Sequence, residues 1–299
     1  MTKVRFVAGI DAGGTTFKLG VAGGANAPLI KTRIPTTTPE ETISAAASSL
    51  RTLARSAGGE IVALGIASFG PVDVDPASPN YGKILKTPKA GWSGAALRPA
   101  LEAALGAPVI LDTDVNAALL AEMTAGAAQG VDRAAYVTIG TGVGVGVRIN
   151  AEFAGRPFHP ELGHIRVERH PEDREYEGAC GIHRGCLEGL LSAPSLISRF
   201  GALEELPSDH VCWRIAGFYI AQLCLTLSLG WRVERIVLGG GVMNAEALLS
   251  QCRRQYSMLM QGYIAGIESD PENLIARAAL GDDAGLSGAI MLARGLVRE

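Results

Sequence analysis

The residues best equipped to bind or react lie in the stretch HPELGHIRVERHPEDREYEGACGIHRGC, where His164 is followed by Cys180, His183 and Cys186. Two thiols and two imidazoles are the donor set a tetrahedral zinc ion prefers, and four protein ligands leave no position open for an attacking water. The motif therefore predicts a structural zinc site, not a catalytic one. The competing reading is of two small buried cysteines and two surface histidines. It accounts less well for three donors crowded into Cys180 to Cys186, in a loop rich in glycine and charge.

A second kind of chemistry is written in glycine. The apolar run Val4 to Ile10 closes on Asp11, Gly13, Gly14 and Thr15, and a second run starts at Phe17. A tight glycine turn leaves backbone amides unshielded for phosphate oxygens, the Thr15 hydroxyl adds a donor, and Asp11 can hold magnesium through water. The same grammar returns where AAYVTIG runs into Gly140, Thr141 and Gly142, and ERIVLGGGV ends in Gly239, Gly240 and Gly241. One such turn fits an ordinary hairpin equally well. Two of them, a glycine-rich strand-to-helix turn and an aspartate ending a strand supply what a cleft needs to grip a nucleotide from both sides. Neither a Walker GK[ST] ending nor a Rossmann GxGxxG in its proper context is present.

The elements that must position these residues alternate. Thr38-Pro39-Glu40-Glu41 reads as an N-cap, a proline at the first helical position and an acid at the third, opening a helix through Leu53. IVALGIASFGPVD is a buried strand; APVILDTD is another, feeding the helix VNAALLAEMTAG that ends at Gly126. From Ser208 a long apolar helix leads to the strand ERIVLGGGV, and LGDDAGLSGAIMLARGLV supplies a loop and a final helix. This predicts α/β architecture with largely parallel central strands. The repeated hairpin predicts two related lobes, one copy in each.

Composition bounds the rest. A chain of 299 residues, 47% hydrophobic, suits two domains better than one. A formal net charge of -3 without a long basic run points away from nucleic acid and anionic membranes. No stretch reads as the ~20 apolar residues that cross a bilayer, and the N-terminus reaches glycine too early for a signal peptide, so a cytoplasmic location is expected. Cys212, Cys224 and Cys252 read as single, reduced core thiols.

DAGGTT, LGIASFGPVD, LDTDVNA, VTIGTGVGVGV, HPELGHI, CGIHRGCLEG, IVLGGGV and LGDDAGLSGA stand in an order and spacing that resembles the ROK family of bacterial sugar kinases and repressors, within the actin-like ATPase superfamily. The resemblance spans nearly the whole chain. It implies the two-lobed actin-like, ribonuclease H-like fold with an interlobe cleft: a small lobe over 1–118 that takes back a C-terminal helix at 286–299, and a large lobe over 119–285 bearing the zinc loop. A repressor of the family would need a helix-turn-helix domain ahead of Asp11, where only ten residues stand.

What the resemblance implies for function is an ATP-dependent hexose kinase acting with magnesium. YGKILKTPKAGW, DTDVNA and HPELGHI look most like the fructokinase branch, and family glucokinases usually carry Asn where Thr113 stands. Fructose is the leading substrate; glucose, mannose and N-acetylmannosamine are the alternatives. Asp114 matches the base that takes the proton of the sugar 6-hydroxyl, and Asp112 is assigned a structural role. Gly70, Thr113, Asn116, Glu161 and His164 fall at sugar-binding positions, with His164 also a zinc ligand. Asp11, Gly13, Gly14, Thr15, Thr16, Gly140, Thr141, Gly142, Gly239, Gly240 and Gly241 fall at positions for ATP and magnesium. The family's first turn usually reads GGTK, and Thr16 replaces that Lys; Lys18, about 7 Å farther along the strand at ~3.3 Å per residue, is the nearest cation in sequence. The zinc loop is expected to hold Glu161 to the sugar without touching the nucleotide turns. His159, His170 and His210 read as solvated surface residues, and a homodimer is expected.

Overall fold

The computed structural model describes residues 4–24, 28–87, 89–264 and 270–297. Pro88 of the YGKILKTPKAGW stretch, and Arg298 and Glu299 of the expected last helix, lie outside the described residues. The chain divides into two compact units, Met1–Ala121 with Gly155–His159 and Asp283–Glu299, and Glu122–Ala154 with Pro160–Asp282.

The first unit opens with β1 (Val4–Ala12), β2 (Thr16–Ala22) and β3 (Ile30–Pro35), followed by α1 (Pro39–Ser56) and β4 (Gly59–Ser68). Next come α2 (Leu97–Leu105), β5 (Val109–Thr113) and α3 (Asp114–Ala125), the last of which carries the chain into the second unit. There the order is β6 (Arg133–Ile139), β7 (Val143–Ile149), β8 (Glu152–Phe153), α4 (Leu187–Leu191), α5 (Ala193–Phe200), α6 (Val211–Trp231), β9 (Arg235–Gly239), α7 (Glu246–Met260), α8 (Pro271–Leu274) and β10 (Ile275–Arg277). The closing helix α9 (Ala284–Gly295) belongs to the first unit.

Each unit is built on one five-stranded sheet, in the orders β3-β2-β1-β4-β5 and β8-β7-β6-β9-β10. The two are copies of one topology. In each, the hairpin strands pair antiparallel, and the first strand then pairs parallel with the strand that follows the intervening helical segment, α1 in the first unit and α4 to α6 in the second. The sheets are thus mixed, not largely parallel: a glycine turn too short for a crossover forces its two strands to run antiparallel.

Both faces of the first sheet are covered, which is why the centre of β1, Phe6 to Ile10, is an unbroken apolar run. Phe6, Ala8 and Ile10 pack with Ala46, Ala47 and Leu50 of α1, while Val7 packs with Ile290 and Ala293 of α9. The start of α1 follows its sequence signal, since Thr38 accepts from the Glu41 amide at 3.3 Å and Pro39 follows. The second core is built from the helix pair α6 and α7 against β6, β7 and β9.

Two expectations need correction here. The helix α6 is 21 residues long with a mean hydropathy of 1.3, so by length and composition one span does reach the bilayer threshold. Its most apolar stretch is 67% buried within the protein, as an all-round apolar helix at the centre of a core must be. The final helix runs Ala284–Gly295, starting two residues earlier than 286 and stopping short of 299.

Candidate active site and candidate metal centre

Strand register builds the first half of the site. Ala12 pairs with Ser68, and Ser68 with Thr113, so the carboxyl ends of the parallel strands β1, β4 and β5 finish in one row. Three segments leave that edge side by side: the turn at Gly13–Thr15, Phe69–Gly70, and Asp114. Open α/β sheets place ligands at this edge, because there the loops diverge and helix N-termini point outward.

Asp114 is half-buried and is the first residue of α3, not the last of β5. It therefore does not share a strand face with Asp112. Its Oδ1 accepts the Val115 amide at 2.8 Å. Thr113 is the helix cap, its hydroxyl accepting from the Asn116 amide at 3.2 Å, and it is buried. Asp112 is buried too. It accepts from the Thr113 amide at 2.7 Å and the Asn116 side chain at 2.8 Å, and its other oxygen pairs with Arg156. Burial raises the Asp112 carboxyl above the ordinary carboxylate value, and the Arg156 charge and the Asn116 hydrogen bond pull against it.

The first glycine turn is braced from behind. The Gly13 amide bonds the Thr16 carbonyl at 3.1 Å, the Thr36 hydroxyl reaches the Gly13 carbonyl at 2.9 Å, and the Thr36 amide reaches that of Thr15 at 2.9 Å. Asp11 points to the α9 face, where Lys18 Nζ lies 3.4 Å from its Oδ2. A Cβ at Gly285, in the first turn of α9, would stand 2.8 Å from the Asp11 Cγ, so only glycine lets the helix N-terminus approach the carboxylate this closely.

In the second unit the turn at Gly140–Gly142 joins β6 to β7, and Gly239–Gly241 leaves β9, paired with β6 at Thr138. Both leave the same sheet edge. Gly240 has φ 86 and a Cβ there would fall 2.4 Å from the Ile139 carbonyl oxygen, so the turn requires glycine on both counts. Glu188, in α4, accepts from the Val143 amide at 3.0 Å, and the Ala193 amide donates to Gly140 at 2.7 Å. Sequence reasoning missed Glu188, Arg156 and Thr36, whose partners are distant in the chain.

His164, Cys180, His183 and Cys186 come together: their ligand atoms all lie within 4.8 Å of one another. His164 Nδ1 stands 3.8 Å from the Cys180 sulfur and 3.6 Å from the Cys186 sulfur. A zinc tetrahedron with bonds of ~2.0–2.3 Å has edges of roughly 3.3–3.8 Å, a range that holds both distances from His164 to the sulfurs, so the four side chains form a candidate metal site. With Nδ1 facing the sulfurs, Nε2 of His164 is the nitrogen left for another partner. Burial raises the Cys180 thiol, but hydrogen bonds from the His183 and Ile182 amides and from Cys186 outweigh it and the net shift is down; burial carries Cys186 up. Glu161 is exposed and its carbonyl accepts the His164 amide at 3.0 Å. The Cys/His loop is tied to the glycine turn, because Cys186 caps α4 and Glu188, two residues on in the first turn of that helix, accepts the Val143 amide.

Other side chains depart from expectation. His170 is buried, not solvated: its Nδ1 accepts the Glu172 amide at 3.2 Å and its ring meets Phe218 edge-on. His210 caps α6 by accepting from the Cys212 amide. Cys224 and Cys252 are not single, their sulfurs lying 4.0 Å apart between α6 and α7.

The sequence profile of the ROK family matches residues 7–295. The chain belongs to the ROK family. Its similarity to ROK structures extends to the fold: the crystal structure of the ROK hexokinase from Thermus thermophilus superposes with a TM-score of 0.77 at 31% identity, covering 98% of this chain and 99% of that one. Both have the two-lobed actin-like ATPase fold. Among ROK relatives in sequence, the fructokinase of Zymomonas mobilis subsp. mobilis is 41% identical over 287 residues, 95% of each chain. A glucokinase of Halalkalibacterium halodurans is 29% identical over 331 aligned positions, 95% of this chain and 93% of the relative.

Proposed function

We propose that this ROK chain is an ATP-dependent fructokinase, transferring the γ-phosphoryl group of ATP to the 6-hydroxyl of fructose and giving fructose 6-phosphate and ADP. The observation that carries the reading is the row Ala12, Ser68 and Thr113, which sets an open glycine turn and the Asp114 carboxylate at one sheet edge. The preference for fructose draws support from 41% identity to a fructokinase against 29% to a glucokinase.

In this reading Asp114 accepts the proton of the 6-hydroxyl as that oxygen attacks the γ-phosphorus, and the bond to the β–γ bridging oxygen breaks to release ADP. Phosphoryl transfer has a loose transition state governed by positioning and charge neutralisation, so a carboxylate of ordinary strength suffices as the base. Magnesium enters with the nucleotide, and Asp11 is its protein contact. The turns at 13–16, 140–142 and 239–241 hold the nucleotide. Gly70, Thr113, Asn116, Glu161 and His164 read the sugar hydroxyls, which reject analogues lacking them far better than apolar walls do. Zinc on His164, Cys180, His183 and Cys186 is structural and fixes the ring that faces the sugar. The enzyme works in the cytoplasm as a homodimer.

A coupled ADP-release assay over fructose, glucose, mannose and N-acetylmannosamine, with the product identified by NMR, tests the reading. Fructose is expected to give the highest kcat/KM with phosphate on O6. A higher kcat/KM for another hexose reassigns the substrate, and ADP release with none of them removes the kinase reading. Light scattering checks the dimer.

A further inference from the structure

Thr16 leaves the first glycine turn without the lysine its family usually places there, and the structure brings another lysine to the same turn. The ammonium of Lys89, in the segment before α2, donates to the carbonyl of Gly14 across a separation of 75 residues. That partner is uncharged and uses one of three N–H donors, so the positive charge of Lys89 is not neutralised by it. Gly14 and Thr15 form the exposed apex of the turn, and among the described residues nothing beyond its chain neighbours lies within 4 Å of where a Cβ of Gly14 would stand. Among the described residues neither apex amide has a backbone acceptor, because the bonds that hold the turn come from Gly13, Thr36 and the Thr15 carbonyl. Unshielded amides beside an ammonium make an anion site.

Lys18, the nearest cation in sequence, is otherwise engaged: its Nζ lies 3.4 Å from Asp11 on the α9 face. The turn also lies two strands from Thr113 in the row described above, a spacing of ~10 Å at ~4.8 Å per strand. In the kinase reading the terminal phosphates are the groups that must face Asp114 across that spacing.

Resting on the kinase reading, we infer that Lys89 is a binding residue for the terminal phosphates of the nucleotide and supplies the charge that Thr16 lacks. It makes charge-assisted hydrogen bonds to the β- and γ-phosphate oxygens and stabilises the charge that builds on the leaving ADP. Lys89 is then part of the nucleotide site although it stands outside every glycine motif.

Calorimetric titration of MgATP, MgADP and AMP into the wild type, Lys89→Gln and Lys89→Arg tests this. Gln removes the charge and keeps an N–H donor, one bond shorter in reach than that of lysine. Lys89→Gln is expected to weaken ATP and ADP roughly 10-fold or more while AMP changes less than about 2-fold, and Lys89→Arg to stay within about 3-fold of wild type. Lys89→Gln binding ATP as the wild type does, or losing ATP and AMP in parallel, would show a mere brace of the turn and overturn the inference. These outcomes leave the kinase reading standing. A wild type that neither binds ATP nor releases ADP with any hexose removes that reading, and Lys89's role with it.

Discussion

Asn116 donates its side-chain amide to Asp112 at 2.8 Å, which leaves the Asn116 Oδ1 buried without a hydrogen-bond partner among the described residues. The Asp112 Oδ1 accepts here, so it takes the N–H end of the amide and leaves the oxygen end for another donor. A buried acceptor without a partner is costly, and a sugar hydroxyl at this point would satisfy it.

That arrangement separates two neighbouring aspartates by experiment. Asp114→Asn is expected to lower kcat by roughly 10²-fold or more with the fructose KM little changed, because only the proton acceptor is lost. Asp112→Asn is expected to raise the fructose KM more than it lowers kcat, and to lower the melting temperature because Arg156 loses its charge partner. Equal losses of kcat in the two variants would remove Asp114 from the role of base.

Cys180→Ser is expected to release about one zinc per chain, lower stability and raise the fructose KM. Because Glu188 follows Cys186 closely and holds the Val143 amide, the ATP KM is expected to rise as well. Glu188→Gln, which leaves the four ligands intact, is expected to raise the ATP KM with zinc content unchanged. Metal analysis with paired kinetics decides; zinc loss without any change in ATP KM would uncouple the loop from the turn.

Gly285→Ala puts a methyl group 2.8 Å from the Asp11 Cγ. Either α9 or the carboxylate must move. The variant is expected to need more magnesium for half-maximal rate and to lose upward of ~1 kcal/mol of stability, since overpacking typically costs about 1–3 kcal/mol. An unchanged magnesium dependence would remove Asp11 as the metal's contact.

His170 gives a pH dependence. Burial depresses its pKa below the ordinary 6.5, with opposing effects from neighbouring charges, and only the neutral ring can accept the Glu172 amide on Nδ1. The unfolded chain therefore binds the proton first as pH falls. The stability this group contributes is present above about pH 6.5 and is lost as pH drops through the folded value. Melting temperatures between pH 5 and 7 are expected to fall with acid in the wild type and to fall less in His170→Asn, which keeps a capping oxygen.

The features legible in the sequence are those whose cause is local. Thr38 announces α1 because its hydroxyl needs only an amide three residues on. The glycine turns are legible because tight turns demand glycine wherever they occur, and their recurrence foretells two sheets of one topology. Three of the four metal donors are local as well, Cys180 to Cys186, and His164 joins them through the fold. Relations set by packing were invisible. Arg156 meets Asp112, Glu188 meets Val143 and Lys89 meets Gly14 only because strand register and helix docking bring distant segments together. The same physics buried His170, turned an apolar span into the core helix α6, and moved Asp114 from a strand end to a helix start. Residue type and spacing constrain a chain over a few residues, whereas the partner of a charge or the burial of a ring depends on which surfaces the whole chain must remove from water.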